Sequence, residues 1–222
     1  MNRRPTPLAA IALAAVAALS LSACGSGEDS SKDNDKIAGA DTEADSSTSA
    51  SPSASASASD AADRPDITLP KDMKSVFEGW KTGDAAKDAA LADAERALGS
   101  VDDAIARGDT KSDALAFYYQ EDALVSEVKW VQAWLDANIS WTGTIRYFDP
   151  QVTLRDKKTA VVVYCADDSK AYNKNRKTGK VDKAPASDSP YVLYNTRLER
   201  NGEGVWVTTG LLTKRGHERC GG

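Results

Sequence analysis

Few residues in this chain can do chemistry. Its 222 residues include one histidine, His217, and three cysteines, Cys24, Cys165 and Cys220. His217 lies in the polar tail Lys214–Arg219 and is expected to be exposed. One histidine leaves no Ser/His/Asp arrangement and no ordinary zinc set, so no catalytic residue, metal site or cofactor is assigned. Gly202-Glu203-Gly204 lacks both a third glycine and a following helix, so it reads as a turn and not as a phosphate loop. What remains is acid–base work by carboxylates and tyrosines. Tyr118, Tyr119, Tyr147, Tyr164, Tyr194 and Asp149 qualify by type, although a tyrosine in a strand more often packs with its hydroxyl satisfied. The residues chosen as a candidate pocket are Tyr118, Trp130, Trp134, Tyr164, Tyr194 and Trp206.

These residues need a frame. Thr159–Asp167 (TAVVVYCAD) reads as its central strand, because Val161 to Tyr164 are β-branched or aromatic. Alternation puts Val161, Val163 and Cys165 on one face, and Val162, Tyr164 and Ala166 on the other. Both faces are largely apolar, which predicts cover on both sides or at least a central place in the sheet. Tyr191–Arg200 and Val205–Lys214 form a hairpin across Asn201-Gly202-Glu203-Gly204. Ile139–Tyr147 is a further strand, with Trp141, Gly143, Ile145 and Tyr147 on one face. Asp149-Pro150 turns the chain, Val152–Leu154 is a short strand or bulge, and Arg155–Lys158 turns again.

Helices come earlier. Met73, Val76, Phe77 and Trp80 recur at helical spacing within Lys71–Trp80. Asp84–Arg107 is Ala-rich, with Leu91, Ala94, Leu98, Val101 and Ile105 on one stripe and Gly108 as its stop. Thr110 with Asp113 is a capping variant, and Lys111–Asn138 continues as one helix or two. There Leu124, Val128, Val131 and Leu135 make one stripe, and Trp130 with Trp134 a second that is expected to pack against the sheet. Asp168–Pro190 is polar, with Lys170, Lys174, Arg176, Lys177, Lys180 and Lys183; it reads as an extended hairpin or a solvated loop. A basic finger touching acidic partners or lipid head groups is the functional version of that segment.

The N-terminus is an address. Arg3 and Arg4 precede an apolar run of about fourteen residues, Leu8 to Leu21, the length of a signal-peptide core. The run ends in Leu21-Ser22-Ala23-Cys24, which resembles the bacterial lipobox. That resemblance implies cleavage before Cys24 and a diacylglycerol on its sulfur. The domains expected are a signal peptide over 1–23, a tether over 24–66 and one folded domain over 67–222. The tether after Cys24 is rich in Ser, Ala and Asp and cannot bury enough surface to order itself. It carries ten acids against three bases, a net of −7, while the whole chain is −5. The domain is therefore formally neutral, and nothing in it points to nucleic acid. With Cys24 lipidated, the default for Cys165 and Cys220 in an exported protein is a disulfide. The alternative is a buried thiol and a free terminal one.

Helices followed by about four to six mainly antiparallel strands make an α+β domain, with the helices on one face of a curved sheet. Over residues 71–214 the order resembles the nuclear transport factor 2-like superfamily (the cone-shaped, cystatin-like fold) of small actinobacterial lipoproteins. The resemblance rests on the long helix ending in Arg107-Gly108-Asp109 and the closing strand with Val205-Trp206-Val207. It implies a pocket between sheet and helices, used for binding in many members and for isomerases or dehydratases in some, which often pair an Asp with Tyr or His.

The expected function is a non-enzymatic domain on the outer face of the cytoplasmic membrane, anchored through Cys24. It would bind a small apolar ligand, a partner protein or an envelope component. The alternative is an isomerase, dehydratase or hydrolase of small hydrophobic molecules. The first predicts an apolar or plugged pocket without a buried unpaired carboxylate. The second requires a desolvated Asp or Glu facing the cavity.

Overall fold

A computed structural model describes residues 62–184 and 187–221. Cys24, the expected signal peptide and nearly all of the expected tether lie outside the described residues. The order is β1 (Met73–Phe77), α1 (Ala85–Arg107), α2 (Asp113–Tyr118), α3 (Glu121–Asp136), β2 (Ile139–Leu154), β3 (Thr159–Asn175), β4 (Val181–Asp182), β5 (Tyr191–Arg200) and β6 (Trp206–Arg215), closed by a 3-10 turn Glu218–Cys220. The described residues form one six-stranded sheet in the order β1-β2-β3-β5-β6, with β4 paired to β3. Pairing is antiparallel except for β1, which runs parallel to β2. The class is α+β, as the element pattern predicts. No helix among the described residues is long and apolar enough to cross a membrane.

Lys71–Trp80 is the main departure. Met73–Phe77 is a strand, not a helix, with Met73 buried, Ser75 and Phe77 half-buried, and Lys74 and Val76 exposed. Met73, Val76 and Phe77 satisfy three- and four-residue steps, but Met73, Ser75 and Phe77 satisfy a step of two equally well. Pairing with β2, from Met73 opposite Gly143 to Phe77 opposite Tyr147, decides for the strand. Gly79, at φ 72°, then turns the chain toward α1.

Helix α1 is built as the sequence indicates. The Asp84 side chain accepts from the backbone N–H groups of Ala86 and Lys87, and Gly108 ends the helix in the left-handed region at φ 75°. The Lys111–Asn138 stretch is two helices. The cap of the first is Ser112, not Thr110: its side chain accepts from Leu115 N–H.

Strand β2 does not stop at Asp149-Pro150. It runs through to Leu154, with a register shift between Phe148 and Gln151 that absorbs the proline and the positive φ of Asp149. Near its start, Gly143 has φ 109°, and a Cβ there would meet the Lys170 carbonyl oxygen at 2.1 Å, so only glycine fits. Strand β3 is central in the sheet, and Val162, Tyr164 and Ala166 are buried beneath α1. Its other face is covered less than both-sided cover would require: Val161 and Val163 are half-buried and Cys165 is fully buried. The helices pack on one face only, and on the other the C-terminal turn docks through the Cys165–Cys220 disulfide. The open thiol alternative is thereby removed.

Asp168–Pro190 is partly strand. Strand β3 extends to Asn175 and pairs with β4, so the extended-hairpin reading holds. Two of its cations are committed to the domain. The Arg176 guanidinium donates to the carbonyls of Ile105 and Ala106 at the C-terminal end of α1, and Lys174 pairs with Asp72 at 2.7 Å.

Candidate functional site

The helices and the face of the sheet they cover enclose an interior that carries carboxyl groups. Asp102 of α1 and Glu127 of α3 are 6% and 8% exposed. Facing them are tyrosines from other elements: Tyr119 after α2, Tyr147 of β2, Tyr164 of β3 and Tyr194 of β5. Strand alternation brings the last three to the covered face, next to the Trp141, Ile145 and Tyr147 series of β2.

Asp102 is held by neutral donors. The Trp141 indole N–H donates to Oδ1 at 3.1 Å and the Ser75 hydroxyl to Oδ2 at 3.3 Å. Both favour the charged form, yet burial outweighs them and pushes the carboxyl up to about 7. Glu127 is pushed up to about 7 as well, first by burial and then by the negative charge of Asp102. No hydrogen bond reaches the Glu127 carboxyl among the described residues. Burial raises the phenols of Tyr119, Tyr147, Tyr164 and Tyr194, and Glu127 or Asp102 adds to each shift. All four stay protonated and can act as donors.

Side-chain polar atoms that are both sealed and unpartnered among the described residues are Trp80 Nε1 and Thr209 Oγ1. The Glu127 carboxyl and the hydroxyls of Tyr119, Tyr147 and Tyr164 have no partner either and are not sealed. Chemically, this is an acid–phenol cluster in a low-dielectric interior, with one carboxyl anchored and one free. It can accept or donate hydrogen bonds, hold a proton near neutral pH, or balance a charge brought from outside.

The candidate pocket residues separate. Tyr164 and Tyr194 stack at 4.9 Å and belong to the cluster. Tyr118 is fully buried, and its hydroxyl accepts from Arg64 at 3.4 Å. Trp206 is a core residue whose backbone N–H donates to Asp93. Trp134 packs partly against the core. Trp130 departs from the expected packing on the sheet: it is 51% exposed, its ring edge-on to Trp134, because its position on α3 faces outward. Asp149 lies at the surface bulge beside Arg219, and His217 caps the terminal turn, so neither enters the interior. No group of three or more His, Cys, Asp or Glu that could hold a metal occurs among the described residues.

Asp102 and Glu127 escaped selection by type, though the sequence marks them. Asp102 is four residues after Leu98 and three before Ile105; Glu127 is three after Leu124 and four before Val131. Each is a carboxyl inside an apolar stripe.

Two open concavities lie elsewhere. One, of about 510 Å³, runs between β1 and α1 past Ile67, Leu69 and Val76. The other, of about 610 Å³, lies among the charged turns at Asp156–Thr159 and Glu199–Arg200. Neither contains Glu127 or the tyrosine cluster.

No family model and no curated protein matches the chain. Solved structures similar to it include a ketosteroid isomerase-like protein from Erwinia carotovora atroseptica, with 17% identity over 57% of this chain and 95% of that one and a TM-score of 0.39. Hexachlorocyclohexane dehydrochlorinase LinA-type3 from Novosphingobium barchaimii aligns at 9% identity over 60% and 90%, with a TM-score of 0.40. An NTF-2 like protein of unknown function from Shewanella oneidensis aligns at 15% identity over 55% and 96%, with a TM-score of 0.35.

Proposed function

We propose that this chain is a lipid-anchored extracytoplasmic domain that takes up a small hydrogen-bonding molecule between α1, α3 and the sheet. One observation carries the uptake: the Glu127 carboxyl and the hydroxyls of Tyr119, Tyr147 and Tyr164 lie in the interior without protein hydrogen-bond partners among the described residues. Buried polar groups are normally satisfied, and a ligand that satisfies several at once gains several hydrogen bonds. The interior differs from the apolar or plugged one expected of a non-enzymatic domain and carries the desolvated carboxyl that the alternative requires, so the ligand is polar in part.

Native mass spectrometry of the whole chain, purified from cells that export it, tests the uptake. The expected result is a small-molecule adduct that is lost in Glu127→Gln. A bare mass in both proteins, with tyrosine and tryptophan emission unmoved by added small molecules, would sink the reading. Anchoring through Cys24 is tested separately. Cys24→Ala is expected to leave an unlipidated precursor, and normal processing with full membrane retention would refute it.

A second reading, acid–base turnover by an isomerase, dehydratase or hydrolase, has an observation in its favour. Glu127 lies at about 7, near the optimum for a general base at neutral pH, and has no partner to compete for its proton. Its sign would be a turnover rate that rises through pH 7 and collapses in Glu127→Gln while ligand uptake persists.

A further inference from the structure

We infer that the interior site is built for a small organic cation, with Glu127 as its counter-charge and the tyrosine rings as its walls. This rests on the proposed uptake of a small molecule there. The reasoning starts from how the domain treats its other buried carboxylates. Asp93 is fully buried and meets Arg64 at 2.6 Å and Arg96 at 3.2 Å. Asp103 is 2% exposed and meets Arg107. Each has a guanidinium. Asp102, the very next residue to Asp103, has only an indole N–H and a hydroxyl, and Glu127 has no donor among the described residues.

Glu127 also faces the negative charge of Asp102. Among the described residues, the basic group whose charge reaches the cluster is Arg215, at Tyr194. Its guanidinium is committed to Asp168 at 2.8 Å and to the Ser189 carbonyl at 2.9 Å. Among the described residues, the interior therefore holds Asp102 and Glu127 without a cation paired to either. A buried carboxylate ionises readily only when paired, so a positive charge supplied from outside would hold Glu127 in its charged form.

The walls fit the same ligand. Tyr164 and Tyr194 stack with their planes 7° apart, and Tyr147 meets Tyr164 edge-on at 6.1 Å. Aromatic faces attract a cation through the ring quadrupole, more strongly when water is excluded. A monocationic amine with an apolar substituent would satisfy the carboxyl with its N–H groups or its charge and pack against the rings. A neutral alcohol of the same shape would offer one hydrogen bond and leave the charge unbalanced.

The test uses two matched probes, benzylamine and benzyl alcohol, titrated by calorimetry into the full chain in detergent at about pH 8, where Glu127 is ionised. Benzylamine is expected to bind about tenfold or more tighter than benzyl alcohol, a discrimination that Glu127→Gln removes. Equal or tighter binding of the alcohol overturns the cation assignment while uptake of a small molecule stands. Discrimination that survives Glu127→Gln overturns the role given to Glu127. Silence of both probes up to about 10 mM overturns the inference, and the native-mass adduct then decides the broader reading independently. Should the variant fail to fold, the ratio measured on the unaltered chain still decides.

Discussion

Helix α1 buries acids in two opposite ways, about two turns apart. At Asp93 the carboxylate is saturated: two arginines and the backbone N–H of Trp206 converge on it. That cluster joins three separate pieces of chain, the segment at Arg64, the helix, and the start of β6. At Asp102, and across the interior at Glu127, the acids meet only neutral donors or none. The first region is a finished structural joint. The second carries a cost that the fold leaves unrecovered, and such a cost persists most readily where a ligand recovers it. The difference shows that burial of charge alone does not mark a site; burial without a counter-ion does.

The most direct way to break the comparison is to unmake the joint. Asp93→Ala should destabilise the domain by about 3–5 kcal/mol, because a buried ion pair loses one member while the Trp206 N–H loses its acceptor. Urea unfolding measures it. A loss near that of an ordinary surface substitution would mean that Asp93 and Asp102 are not different kinds of acid.

The next test is pH. An interior acid whose folded value is about 7 against an ordinary 4.5 binds more protons folded than unfolded between those limits. Stability then falls as pH rises from about 4.5 through about 7, and the penalty is fully present above that. For Glu127 the size is roughly 3 kcal/mol, and Asp102 acts in the same direction. The unaltered domain should therefore be more stable at about pH 5.5 than at about pH 8.5. Glu127→Gln should flatten the profile and match or exceed the parent at the higher pH. Equal stability at both pH values in the parent would place the two acids in ordinary surroundings. A cationic ligand should reverse the trend, since it favours the charged carboxyl.

Much of the frame was legible beforehand, and the site was not. Asp84 and Gly108 bound α1 because caps are local chemistry, and Val161–Tyr164 announce a central strand by composition. The Cys165–Cys220 bridge is expected once the N-terminus is read as an export signal. Strand β1 is ambiguous in sequence because its residues satisfy both periods, and pairing with β2 decides between them. The Asp149-Pro150 step looked like a turn because proline usually ends a central strand; here a bulge absorbs it. Asp102 and Glu127 were missed because acids on helices are usually solvated. Whether an acid within an apolar stripe finds an arginine depends on elements far away in sequence, as Arg64 does for Asp93. Trp130 and Trp134, the residues most prominent by size, proved to sit on the outer side of α3 or at its edge.

Within the interior, the two donors on Asp102 should differ in worth. Trp141→Phe removes the shorter, buried bond, so Asp102 rises further and the charged form becomes dearer. The packing loss from the smaller ring acts at every pH, so the informative quantity is the excess loss at about pH 8.5 over that at about pH 5.5, expected near 1–2 kcal/mol.

Ser75→Ala is the finest probe. The Ser75 hydroxyl lies 3.3 Å from Oδ2, at the long end for an O–H donor, and is only half-buried. Its removal also leaves a space that water can reach from the β1 edge, and water can take over the donation. The expected excess loss at the higher pH is therefore about 0.5 kcal/mol, several times less than for Trp141→Phe. An equal effect from both variants would mean that Asp102 depends on the number of donors and not on their seclusion. The contrast with Asp93 would then rest on charge alone.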